Sequence, residues 1–200
     1  MSIEKNIVIA ASGSGSNFKA LIDATETGIL NAKISGLIAS REDIGAVHFA
    51  RKYDIPVYVL KNEPSTMGHQ VLEAMESFSG DLLVLAGFLR KIPEEVIQEY
   101  SDRIVNIHPS LLPKYGGKGF YGIRVHQAVI FAGETHSGCT VHLVNEDYDQ
   151  GRILAQQAVE VKPEDKPIDL AARILKVEHQ LYARTIQNYL KSLNPRHCEH

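Results

Sequence analysis

Residues 5–27 read KNIVIAASGSGSNFKALIDATET, and this stretch decides the fold. Lys5–Ala11 is an apolar run with Ile7, Val8 and Ile9 in succession, as expected of a strand buried on both faces. Ser16–Thr27 places Phe18, Leu21 and Ile22 on one helical face, with Ser16 positioned to cap the helix. Between them runs the glycine-rich turn Ser12-Gly13-Ser14-Gly15-Ser16-Asn17. A strand, a tight turn and a helix in immediate succession predict the start of a βαβ unit.

The alternation continues along the chain. Strands are expected at Ile34–Ala39, Val57–Leu60, Leu82–Leu85 and Arg103–His108, and helices at Ile44–Tyr53, Ser65–Phe78 and Pro93–Tyr100. That order is the signature of a parallel sheet with crossover helices. The rest differs: a short helix at Val125–Ala132, then strands at Cys139–Val144 and Ile153–Val161 joined by Asn145–Arg152. Ile168–Leu193 has the period of a long C-terminal helix. The expected fold is therefore α/β. It is an open, mostly parallel twisted sheet with helices on both faces, a Rossmann-like N-terminal half, antiparallel strands and a long C-terminal helix. Residues 1–193 are expected to form one domain, with 194–200 a disordered tail.

Composition excludes several classes and selects none. The chain has 200 residues, 44% of them hydrophobic and 22% charged, so intrinsic disorder is excluded for its bulk. A formal charge of −3 removes the usual electrostatic drive toward nucleic acid. The longest apolar run, Leu82–Leu89, falls short of the roughly 20 residues of a membrane span. No signal-peptide core is present at the N-terminus, and the two cysteines, Cys139 and Cys198, cannot form a disulfide scaffold. A reducing, cytoplasmic setting is the default expectation, with neither nucleic acid nor membrane expected as partner.

Three segments carry chemistry. The turn Ser12–Asn17 opens a helix, whose free N–H groups attract an anion; the alternative is a plain βα turn. It lacks the third glycine of a dinucleotide fingerprint, since Phe18 stands there, and it lacks Gly-Lys-Ser/Thr. A single phosphate on a small substrate fits it better than a dinucleotide. In Val105-Asn106-Ile107-His108-Pro109-Ser110-Leu111-Leu112-Pro113, Asn106 and His108 share a strand face at the carboxyl end of a parallel strand, where open α/β sheets bind ligands. Asn can donate to a developing oxyanion, and His can donate or move a proton; a satisfied core histidine is the alternative. The third segment is Gly138-Cys139-Thr140-Val141-His142, followed by Asp147-Tyr148-Asp149-Gln150-Gly151. Its carboxylates are either turn-formers or partners of His108. No histidine spacing suits a metal, so none is expected.

Together these segments resemble the folate-dependent glycinamide ribonucleotide transformylases, over about Asn6 to Leu190. Asn106-x-His108-Pro109-Ser110-Leu111-Leu112-Pro113 is the most specific match. Gly138-x-Thr140-Val141-His142, Asp149-x-Gly151, Leu85–Arg90 and Gly13–Asn17 complete it. The resemblance implies transfer of a formyl group from 10-formyltetrahydrofolate, as cosubstrate, to the amine of glycinamide ribonucleotide in purine biosynthesis. It implies Asn106, His108 and Asp149 as catalytic residues, with Asp149 keeping His108 charged. Gly15, Ser16 and Asn17 would bind the substrate phosphate and Glu178 the ribose. Leu89, Arg90, Ile92, Asn145, Glu146 and Asp147 would lie against folate. It also implies a cis bond before Pro113, and a monomer or homodimer.

Two departures stand out. Lys114–Arg124 is a few residues longer than the family pattern, leaving His126 as a neighbour of the site, and no arginine stands near Met67–Gln70. The rival readings are a methionyl-tRNA-type formyltransferase and a non-catalytic nucleotide-binding domain. A dinucleotide-dependent oxidoreductase is a third, weakened by Phe18. The tRNA-directed relatives usually add a C-terminal domain and need a basic face, and neither is expected here.

Overall fold

A computed structural model describes residues 5–193. The expected tail, 194–200, lies outside the described residues. Strands β1 (Asn6–Ala11), β2 (Lys33–Ala39), β3 (Val57–Val59), β4 (Leu82–Leu85), β5 (Ile104–His108), β6 (His136–Leu143) and β7 (Ile153–Glu160) form one sheet in the order β3-β2-β1-β4-β5-β6-β7. The pairs from β3 to β5 are parallel, and β6 and β7 are antiparallel. This is the expected α/β architecture.

Alternate strand residues feed two cores. Ile7 and Ile9 of β1 pack on the face covered by α1 (Ser16–Glu26), α2 (Gly45–Lys52) and α6 (Pro167–Ser192), while α5 (Ile123–Phe131) contributes Val129. Val8 and Ala10 pack on the other face, under α3 (Met67–Ser77) and α4 (Glu94–Glu99). Burial on both faces is why these strands lack polar alternation. The long helix α6 crosses the first face, and its buried Tyr182 hydroxyl lies 2.9 Å from the Leu85 carbonyl and 3.0 Å from that of Val105. It thus braces β4 against β5 beside Asn106.

Several boundaries differ from expectation for local reasons. Ser16 is the first residue of α1 and does not cap it; Gly15 takes that place in the left-handed region, at φ 81°. A Cβ on Gly15 would stand 2.7 Å from the Ala46 backbone, so the turn is pressed against α2. Pro64–Thr66 form a 3₁₀ turn, and α3 starts at Met67. β6 begins three residues early, at His136, because Ser137 and Gly138 pair with Val159 and Ala158 of β7.

Position in the sheet sets the site. β1 lies between β2 and β4, so the chain leaves β1 and β4 toward opposite faces and a crevice opens at their carboxyl ends. Ser12 ties the two exits together. Its N–H donates to the Gly87 carbonyl at 3.1 Å, and its hydroxyl accepts the Leu89 N–H at 3.1 Å.

Candidate active site

A cleft of about 740 Å³ occupies that crevice. Asn17, Leu89, Arg90, Ile92, Asn106, His108, Asn145, Asp147, Asp149 and Glu178 all line it. Residues as much as 161 positions apart in sequence therefore meet in one cavity. Gly15, Ser16 and Glu146 are not in its lining: Gly15 is turned against Ala46 and the Glu146 side chain faces solvent.

Asn106 and His108 point to one face of β5, opposite to Val105 and Ile107 in the core. Antiparallel register sets His142 opposite Asn106 and Thr140 opposite His108. Asp149 arrives from the β6–β7 connection in the left-handed region, at φ 57°, a conformation that Asp tolerates better than most residues. Its carboxylate lies 3.5 Å from His108 Nδ1 and 3.6 Å from His142 Nε2, and it accepts the Gly117 N–H at 2.9 Å. The remaining nitrogen of His108, Nε2, donates to the Tyr115 carbonyl at 2.8 Å.

Those contacts set the charges. Burial pushes the Asp149 carboxyl up, but the nearby His108 and the Gly117 N–H hold it below its usual range. For His108, burial is the larger influence and lowers its pKa below 6.5, against the opposing pull of Asp149 and the Tyr115 carbonyl. Asp149 is thus the opposing influence that favours the charged ring, as the resemblance implies, while burial favours the neutral one. Asp149 does favour imidazolium, but an imidazole with 4% exposure loses more hydration than one carboxylate at 3.5 Å returns.

Thr140 anchors the segment after His108. Its hydroxyl donates to the Ser110 carbonyl at 2.6 Å and accepts the Leu112 N–H at 3.0 Å. Gln156 of β7 donates to both Thr140 Oγ1 and the Leu112 carbonyl at 2.9 Å. The Leu112–Pro113 bond is cis, as the resemblance implied.

At the other end of the cleft, the first turn of α1 leaves the N–H groups of Ser16, Asn17 and Phe18 without helical partners, since the first intrahelical bond is from Lys19 to Gly15. The Asn17 side chain, however, turns to Glu178, donating from Nδ2 to Oε2 at 2.8 Å and leaving its buried Oδ1 without a partner. Burial raises the Glu178 pKa, opposed by that amide. On the opposite wall, Arg90 donates to the Ser40 carbonyl at 3.1 Å, so its guanidinium is partly occupied. Lys91 lies over the Tyr148 ring at 5.6 Å.

His126, on α5, lines the cleft with 4% exposure, and its Nδ1 has no partner. Burial, with the neighbouring His108 adding, holds its pKa down to about 4. The unfolded chain binds this proton near pH 6.5 and the folded chain only near pH 4. Stability from this group is therefore complete above about pH 6.5 and is lost as pH falls, by roughly 3 kcal/mol in total. The urea midpoint is expected to drop between about pH 7 and pH 4.5, and His126→Gln to flatten that drop. An identical slope in the variant would contradict this.

His142, Thr140, the Tyr115 carbonyl and the Gly117 N–H were absent from the expected site. His142 and Thr140 stood in a quoted motif, but only the β5–β6 register shows that they face Asn106 and His108. The two backbone groups left no side-chain signal.

A Rossmann-like sheet with this Asn-His-Asp cluster at its crevice defines the class. Residues 5–186 match the formyl transferase family model, and the chain belongs to that family. It is 43% identical over 187 residues to the chloroplastic phosphoribosylglycinamide formyltransferase of Arabidopsis thaliana, covering 91% of this chain and 64% of that one. The phosphoribosylglycinamide formyltransferase of Haemophilus influenzae is 36% identical, with 92% of this chain and 86% of that one aligned. The crystal structure of the Bacillus halodurans phosphoribosylglycinamide formyltransferase superposes with a TM-score of 0.87 at 34% identity, covering 95% of this chain and 98% of that one. The chain spans 60 to 64% of the length of the plant relatives it matches. Among the described residues no helix is long and apolar enough to cross a membrane.

Proposed function

We propose that residues 5–193 form one formyltransferase domain, which moves the formyl group of 10-formyltetrahydrofolate to the amine of glycinamide ribonucleotide in purine biosynthesis. The observation that carries this is the cluster of Asn106, His108, His142 and Asp149, with both histidines buried, in a cleft that Asn17 at the start of α1 also lines.

The amine nitrogen forms a bond to the formyl carbon, and the carbonyl electron pair moves onto oxygen. One amide hydrogen of Asn106 and an N–H of His108 donate to that oxyanion. Asp149 favours the charged ring as negative charge builds beside it, so His108 takes up its proton where the oxyanion offsets the cost of burial. Collapse breaks the bond from carbon to the folate nitrogen, and the amine proton passes to that nitrogen. His108 reaches the oxyanion through Nε2 once the Tyr115 carbonyl releases it.

The phosphate is assigned to the amides of Ser16 and Asn17, after the turn at Gly15, and the ribose hydroxyls to Glu178 and the unpartnered Asn17 Oδ1. Folate is assigned to the wall formed by Leu89, Arg90, Ile92 and the loop Asn145–Asp149, where Glu146 contributes backbone. The reaction is assigned to the cytoplasm, carried out by a monomer or homodimer, with no nucleic acid or membrane as partner and no metal.

Glu178→Gln removes one charged acceptor from the ribose seat. The KM for glycinamide ribonucleotide is expected to rise about tenfold or more, with kcat within about threefold, because a hydrogen bond to a charged group contributes about 1.5–3 kcal/mol. An unchanged KM would remove Glu178 from the seat. Calorimetric titration with glycinamide ribonucleotide tests the proposal itself. Saturable one-to-one binding, weakened by inorganic phosphate, is expected; no binding would overturn the assignment of the acceptor.

A further inference from the structure

His142 is buried beside the reacting centre without reaching the cleft's ends, and its ring contacts constrain its chemistry. Its Nδ1 lies 2.8 Å from the Leu143 carbonyl, which can only accept, so Nδ1 carries the hydrogen. In the neutral ring Nε2 is then a bare lone pair. Asn106 Nδ2 lies 3.1 Å from it, in hydrogen-bonding distance. The only amide end that satisfies this lone pair is the NH₂; a turned amide would set its carbonyl oxygen against it, acceptor to acceptor. At 2% exposure, His142 is poorly placed for solvent to relieve such a conflict.

We infer that His142 is a positioning residue: its backbone-fixed tautomer holds the Asn106 amide in one of its two orientations. One amide hydrogen goes to His142 and the other stays available to the oxyanion, while Oδ1 keeps a set direction. Asp149 Oδ1 stands 3.6 Å from the same Nε2. That carboxylate would draw a hydrogen placed on Nε2 toward itself, so the arrangement depends on the Leu143 carbonyl holding the hydrogen on Nδ1. The chain thus runs from a strand carbonyl to a tautomer, to an amide orientation, to a donor for the reaction.

The inference rests on the proposed formyl transfer for its rate effects, and the tautomer can be read without any substrate. In ring ¹⁵N spectra of the uniformly labelled, unliganded chain at neutral pH, with His142 assigned through its own backbone correlations, Nδ1 is expected to be protonated and Nε2 bare. A hydrogen on Nε2 would overturn the inference, whatever the chain catalyses. In the transfer assay His142→Leu is expected to lower kcat about tenfold or more, short of the 10²–10³-fold cost of losing an oxyanion donor outright, with both KM values within about threefold. In the Asn106→Ala background the same substitution is expected to cost less than about threefold, since the amide it orients is gone. Equal losses in the two backgrounds would show a merely structural role and overturn the inference. An inactive parent chain would refute the proposed function and leave the tautomer result standing.

Discussion

His108→Ala is expected to lower kcat by about 10³-fold or more while leaving the fold intact. The ring supplies two things at once. In the proposed mechanism it donates to the oxyanion, a contribution whose loss typically costs about 10²–10³ in rate, and it can move a proton, which is worth about 10²–10⁴. The two losses overlap, so the total falls below their product. The KM values are expected to change little, because the phosphate, ribose and folate seats lie on other elements. Alanine leaves a cavity and frees the Tyr115 carbonyl and Asp149, neither of which is among the buried core residues. A modest drop in urea midpoint should accompany the loss of rate. Turnover within about tenfold of the parent, in folded protein, would remove His108 from the mechanism.

Asp149→Asn is expected to be the second largest effect, lowering kcat by about 10–10³-fold. Its size follows from the opposing influences on His108. Burial lowers that pKa and the Asp149 charge raises it, with a net result below 6.5. Removing the charge leaves burial unopposed, so the pKa falls further. An opposite charge at this range typically moves a pKa by about one to three units, and each unit is a decade in the fraction of imidazolium available at fixed pH. The sign is therefore definite: the acid-dependent limb of the rate profile moves to lower pH in the variant. An NMR titration should show the His108 transition displaced the same way. The Gly117 N–H can still donate to the asparagine oxygen, which separates loss of charge from loss of the loop contact. A His108 titration identical in the two proteins would show that the 3.5 Å approach carries no electrostatic coupling.

Much of the frame was legible because periodicity and burial leave local signals. Continuous apolar runs identified β1 and β4, and a period of two put Asn106 and His108 on one face of β5. The 3.6-residue period marked α6, while Glu178 on it came from the resemblance alone, and its 2.8 Å contact with Asn17 spans 161 residues. What stayed hidden depends on register and path. Asp149 reaches His108 only because the β6–β7 connection folds back over β5, and His142 meets Asn106 only through antiparallel pairing. The Tyr115 carbonyl and the Gly117 N–H are backbone groups, present at every residue and distinguished only by where the loop carries them. The balance at His108 is hidden for the same reason: a motif can suggest a neighbouring carboxylate, but not the depth of burial that opposes it. Ser16 looked like a cap by residue type, while close packing against Ala46 gave that position to a glycine.

The central claim is that the cluster at β5 transfers a formyl group to a small phosphorylated amine. Its most direct test is a single assay of the purified chain with 10-formyltetrahydrofolate, offering glycinamide ribonucleotide and unformylated methionyl-tRNA as competing acceptors. The account predicts formylated glycinamide ribonucleotide, formed in turnover that His108→Ala abolishes, and no formylated tRNA. Formylation of the tRNA with glycinamide ribonucleotide left untouched, or no transfer to either, would contradict it.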